Sequence, residues 1–186
     1  LGEQHRVPSP PSPSGADAPL DLLHADLCGP FPVESLGRKR YLLTVLDDHS
    51  KYAIVKMLRA KSDATRALQD AIEMMETQLG LRVKRIRSDG GGEYMASSLQ
   101  MHLREKGIIH EESPPYHPQQ NGAAERLNRT LLDRGRAMMI GADLPQAAWA
   151  EVISTASFLR NRQPCSAVQG AIPFELFWRR RMPSLD

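Results

Sequence analysis

The chain has 186 residues, 41% of them hydrophobic and 25% charged, which is enough to bury one ordinary core and carry extensions. A formal charge of +2 and an isoelectric point near 8.7 permit a nucleic-acid partner without requiring one. No apolar run reaches the roughly 20 residues of a bilayer span and no signal pattern opens the sequence, so a soluble intracellular protein with no membrane partner is expected.

Residues 1–19 contain the Pro/Ser tract Val7 to Gly15, which supports neither a ladder nor a helix and reads as a disordered linker; order is expected from about Leu20. Three strand-like runs follow, Leu22 to Cys28, Tyr41 to Leu46 and Tyr52 to Leu58. The turns Gly37-Arg38-Lys39 and Asp47-Asp48-His49-Ser50 join them into an antiparallel meander. Ser62 is placed to cap a helix in which Ala64, Ala67, Leu68, Ala71, Ile72, Met75 and Leu79 recur on one face until Gly80. A strand over Val83 to Ser88, a helix from Ser97 to Lys106 stopped by Gly107, and a short strand at Ile108 to Glu111 come next. A long helix is expected after Asn121-Gly122, running to about Ile140, and Pro145 opens another through Leu159. Periodicity alone gives a mixed α/β domain. Arg160, Arg162, Arg179, Arg180 and Arg181 concentrate basic charge at the C-terminal end. The expected division is a linker (1–19), a core (20–165) and a basic extension (166–186).

Three acids stand out by where they fall. Asp26 lies in the apolar run Leu22 to Cys28, where a charge is expensive unless a cation or a donor offsets it. Asp89 ends a strand and meets Gly90-Gly91-Gly92, which lets the chain turn sharply and leaves room beside the carboxylate. Glu125 follows Asn121-Gly122, a capping dipeptide, and so falls in the first turn of a helix, where the dipole favours the ionised form. Taken singly, each reads first as structure: a satisfied strand acid, a turn residue and a helix-start decoration. Cys28 and His24 share a strand face, but a thiol nucleophile needs an oriented histidine and the pattern offers only proximity. The two cysteines, Cys28 and Cys165, have no metal spacing and are expected as free thiols. Asp47-Asp48 and Glu111-Glu112 read as structural or solvated, and Glu93 as the start of the helix after the glycines.

Four blocks in order carry a resemblance: His24-Ala25-Asp26-Leu27-Cys28-Gly29-Pro30, Leu46-Asp47-Asp48-His49-Ser50-Lys51-Tyr52, Arg87-Ser88-Asp89-Gly90-Gly91-Gly92-Glu93-Tyr94, and the stretch from Pro114-Pro115-Tyr116-His117 through Asn121-Gly122-Ala123-Ala124-Glu125-Arg126 to Thr130. From about residue 20 to the C-terminus the chain resembles the integrase core of copia-type LTR retrotransposons. The resemblance implies a ribonuclease H-like α/β fold, a mixed five-stranded sheet flanked by helices. It implies that Asp26, Asp89 and Glu125 are catalytic and bind two divalent ions, Mg2+ or Mn2+, in a transferase that joins retrotransposon DNA 3′ ends to target DNA. Gly90 departs from the family's usual Asn, which leaves the ligands intact but loosens the loop behind Asp89. The resemblance also implies a homo-oligomer released from a larger Pol polyprotein, with a zinc-binding domain ahead of Leu1 to Arg6, working in a virus-like particle and the nucleus. A related transposase or nuclease, or a domesticated core that binds nucleic acid without catalysis, stands as the alternative.

Ser113 to Gly122, rich in Pro and Gln, lies where a mobile active-site loop belongs. Tyr116 is placed there to stack on a base, Gln119 to contact DNA and His117 to play a positional part. On the following helix Asn128, Arg129, Leu132 and Arg136 share the face of Glu125, so Asn128, Arg129 and Arg136 are expected DNA contacts while Arg126 projects elsewhere.

Overall fold

The computed structural model describes residues 15–89, 91–112 and 122–182. The expectations for the linker up to Ser14, for Gly90, and for Tyr116, His117 and Gln119 lie outside these residues.

Alternating apolar residues build the meander of β1 (Leu23–Cys28), β2 (Tyr41–Asp47) and β3 (Ala53–Leu58), paired antiparallel in sequence order. After β3 the chain enters a 3-10 turn at Lys61–Asp63 and then α1 (Ala64–Leu79). Ser62 lies inside that turn rather than capping the helix. No side chain caps α1; the Asp63 carboxylate instead accepts the amides of Arg59 and Ala60 ahead of the 3-10 turn. Gly80, at φ 64°, ends α1 in the left-handed conformation that glycine adopts without strain. The crossover through α1 delivers β4 (Arg85–Ser88) parallel to β1, and α2 (Ser97–Lys106) delivers β5 (Ile109–Glu112) parallel to β4. The sheet order is β3-β2-β1-β4-β5. This is the mixed five-stranded, ribonuclease H-like sheet expected from the sequence.

Both faces of the sheet are covered, because β2 is apolar on alternate residues of both parities. Leu43 and Val45 join Leu23, Ala25 and Ile86 against Leu68, Ile72 and Met75 of α1. Leu42 and Leu46 face the other way, against α3 (Gly122–Gly141) and α4 (Trp149–Asn161), where Leu127, Leu131, Trp149 and Ile153 close the second core. α3 and α4 pack tightly at Gly135, where an added Cβ would stand 3.3 Å from Ile153. Asn161 ties α4 to the sheet edge by accepting the Ala53 amide and donating to its carbonyl.

The expected boundary at residue 165 does not hold. α5 (Pro173–Trp178) buries Phe177 completely in the α1-side core, where its ring stacks on Tyr52 at 4.6 Å. Apolar burial outweighs the basic character of the neighbouring arginines, so residues through Trp178 belong to the folded core. Among the described residues no helix is long and apolar enough to cross a membrane.

Candidate active site

Asp26 lies on β1 with the same parity as His24 and Cys28, so its side chain faces α3. Its register partner across β2 is Thr44, which is completely buried on that same face. Asn128, one turn into α3 beyond Glu125, bridges the two: its Nδ2 donates to Asp26 Oδ2 at 2.7 Å and its Oδ1 accepts from the Thr44 hydroxyl. Asn128 is only 5% exposed. Its expected role as a DNA contact is therefore corrected; both ends of the amide are spent inside the protein, orienting Asp26.

β1 and β4 are adjacent, parallel, and leave the sheet in opposite directions of strand order. That switch point opens a crevice at their carboxyl ends, the usual place for a ligand in a sheet of this kind. Asp89 follows the last residue of β4 and is exposed there; Glu125 is in the first turn of α3 and is exposed as well. Asp26 senses the other two acids. The Asp26 carboxyl is pushed up to about 6, first by burial and then by the negative charge of Asp89, with Glu125 adding to it and the Asn128 hydrogen bond opposing. Asp26 and Glu125 line one groove of about 450 Å³ with Asn128, Arg129 and Arg136. Among the described residues no group of three or more His, Cys, Asp or Glu side chains is placed to hold a metal ion, so what links the three acids here is the effect of Asp89 and Glu125 on the Asp26 carboxyl.

Glu93 does not start α2 as expected. It lies in a turn closed by the Tyr94 amide on the Gly91 carbonyl, four residues ahead of the helix. Its carboxylate and that of Asp89 crowd the same spot, each having an oxygen 2.9 Å from where a Gly91 Cβ would stand. Lys61 supplies the countercharge at 3.0 Å from Glu93. The signal was present in Gly91-Gly92-Glu93, but only the turn shows that the acid folds back toward Asp89.

Arg129 and Arg136 are exposed on the groove; Arg136 makes a loose 3.5 Å pair with Asp133. The His24–Cys28 pairing is absent. His24 Nε2 lies 3.1 Å from Asp48, and burial with the nearby Asp26 charge pushes the Cys28 thiol up, away from thiolate chemistry. Asp47 is structural, accepting the amides of Leu20 and Ser50, and Glu111 pairs with Arg85 and Arg87. A cavity of about 750 Å³ lies beyond Leu132 between α3, α4 and the β1–β2 connection; its walls are mainly apolar and hold none of the three acids.

A mixed five-stranded sheet in this order, with helices on both faces, is the architecture of the ribonuclease H-like class. Residues 16–118 match the model of the integrase core domain, and the chain belongs to that family. It is 38% identical over 181 residues to the retrovirus-related Pol polyprotein from transposon TNT 1-94 of Nicotiana tabacum, covering 97% of this chain and 14% of that relative. A similar polyprotein from transposon RE2 of Arabidopsis thaliana is 29% identical over 175 residues, 94% of this chain and 12% of the relative. The chain thus spans a small part of the relatives it matches and is an LTR-retrotransposon integrase core of the plant copia type. Among solved structures it resembles the simian T-cell lymphotropic virus intasome in complex with the PP2A regulatory subunit B56 gamma. The TM-score is 0.74 at 18% identity, over 100% of this chain and 63% of that one. The HTLV-2 integrase catalytic core domain in complex with magnesium, in its trimeric form, gives a TM-score of 0.66 at 18% identity, over 88% of this chain and 99% of that one. At that identity the likeness shows the shared fold.

Proposed function

We propose that this chain is the catalytic core of an integrase that joins retrotransposon DNA 3′ ends to target DNA, with Asp26, Asp89 and Glu125 as its catalytic acids. The observation that carries the reading is the coupling at Asp26: a half-buried carboxyl raised to about 6 by burial and by two neighbouring carboxylates. A carboxyl raised in this way is relieved by a hard cation, and carboxylate oxygens are the donors that magnesium or manganese prefers. Asp26 and Asp89, with Glu125 at the margin, would hold a pair of ions, which when bound activate the attacking oxygen and stabilise the leaving one in an in-line phosphoryl transfer. The solved HTLV-2 core in complex with magnesium supports the choice of that ion.

The chain's own residues prepare the site. Asn128 and Thr44 fix the Asp26 carboxylate and favour its ionised form. The Gly91 amide donates to Asp89, and Lys61 offsets the added charge of Glu93. Arg129 and Arg136 hold DNA phosphates along the groove. The partners are element ends and target DNA, the working state a homo-oligomer within a Pol product, and the setting a virus-like particle and then the nucleus. The dimeric and trimeric forms of the HTLV-2 core support the oligomer.

The test is strand joining by the intact integrase carrying Asp89→Asn, close in size but a poorer ligand for a hard cation. Activity should be lost with the melting profile retained. Near-normal joining would remove Asp89 from the chemistry, whereas no joining by the unmutated integrase supplied with metal would favour the domesticated, non-catalytic reading.

A further inference from the structure

α3 has a second polar side that the acid groove does not use. Ala123, Arg126 and Thr130 recur at helical spacing on the flank away from Glu125 and Arg129, and line a separate cavity of about 170 Å³. Lys51 from the β2–β3 turn and Arg160 from the last turn of α4 close it. Three cations therefore line this cavity and no carboxylate does.

The charges there are poorly offset. Lys51 leans on Asp48 at 2.7 Å, but neither Arg126 nor Arg160 forms an ion pair among the described residues. Arg160 is partly buried and its Nη1 donates only to the Lys51 carbonyl, at 2.6 Å. A guanidinium withdrawn from water without an acid is costly, and burial, with Arg134 nearby, lowers its pKa. Arg126 folds back over the start of α3, its Nη1 2.9 Å from where a Gly122 Cβ would stand, so its charge adds to the positive end of a 20-residue helix. The volume falls below the roughly 300 Å³ at which cavities for whole organic ligands begin, and suits a single tetrahedral oxyanion better than a nucleotide.

We infer that this cavity is a phosphate site for a nucleic-acid backbone running on the far side of α3 from the acids. It rests on the reading of the chain as DNA-handling, yet needs no catalysis. A strand passing the acids is gripped by Arg129 and Arg136; a phosphate in this cavity belongs to a segment that the catalytic groove does not contact.

The test is an amide-resolved titration of the protein with inorganic phosphate and, separately, with a short DNA duplex. Phosphate should shift the amides of Ala123, Thr130 and Ala167, and the duplex should shift the same set. Arg126→Gln, a surface change that the fold tolerates, should abolish the phosphate response and lower the salt slope of duplex binding by about one unit; Arg160→Gln should do the same. Asp89→Asn should leave all of these responses in place, so loss of the catalytic reading and loss of this one are separable. Phosphate shifts confined to other residues, or unchanged by Arg126→Gln, would overturn the site. Phosphate shifts at these amides that the duplex fails to reproduce would overturn its assignment to nucleic acid.

Discussion

Asp26 is pulled between folding and function. Its carboxyl stands at about 6 against an ordinary 3.8, so between those values the folded protein holds a proton that the unfolded chain has released. Stability therefore falls as pH rises from about 4 through 6 and stays reduced at neutral pH, by an amount on the order of 2 to 3 kcal/mol. Asp26→Asn removes that penalty while keeping an acceptor for Asn128. Urea melts without divalent cations should show the variant more stable than wild type at pH 8 and similar at pH 4; equal stability at both would mean that the carboxyl is not strained. Asn128→Ala acts in the opposite sense, by deleting the hydrogen bond that favours the Asp26 anion. The acid limb of the strand-joining rate should move to higher pH, whereas a merely structural loss would scale the rate equally at every pH. The placement of Asp26 in an apolar strand and of Glu125 in a first helical turn was legible as a local signal, while the catalytic role expected of them came from the resemblance alone. Asn128 was misjudged because its partner Thr44 becomes a neighbour only through the β1–β2 register, which no local pattern encodes.

At the scale of elements, strong periodicity made α1, α2, α3 and α4 readable to within a few residues, and alternation did the same for the meander. α5 was missed for a physical reason: six residues are too few to show a helical period, and its apolar residues sit beside arginines that suggest a solvated tail. Phe177→Ala should cost about 3–5 kcal/mol, as loss of a fully buried aromatic ring does. A denaturant melt of the whole chain measures it, and a change under 1 kcal/mol would return this segment to the status of an extension. The α3–α4 contact makes a second demand. Gly135→Val adds bulk where even a Cβ would press on Ile153, and overpacking of this sort costs about 1–3 kcal/mol. Ala at the same position should cost less, since 3.3 Å asks only a small adjustment of a side chain; a reversed order in melting temperature would show that the helices separate freely.

For the whole molecule, the meander, two crossovers and a final helical layer give one result: the carboxyl ends of β1 and β4 open beside the start of α3. Sequence patterns predicted the elements up to α4; the meeting of β1, β4 and α3 at one end of the sheet follows from parallel pairing, which the resemblance supplied and periodicity did not. DNA is expected to lie along this edge, held in part by Arg129. Arg129→Ala should weaken binding across sequences and reduce its salt slope by about one unit. An unchanged slope would make Arg129 a solvated helix charge. The central claim, that Asp26, Asp89 and Glu125 form a cation-dependent catalytic cluster, is tested most directly by anomalous diffraction from crystals of this chain soaked in manganese. The account predicts a peak at about 2.0–2.2 Å from carboxylate oxygens of both Asp26 and Asp89, with Glu125 at its margin. Manganese peaks elsewhere on the molecule, with none touching Asp26, would contradict it.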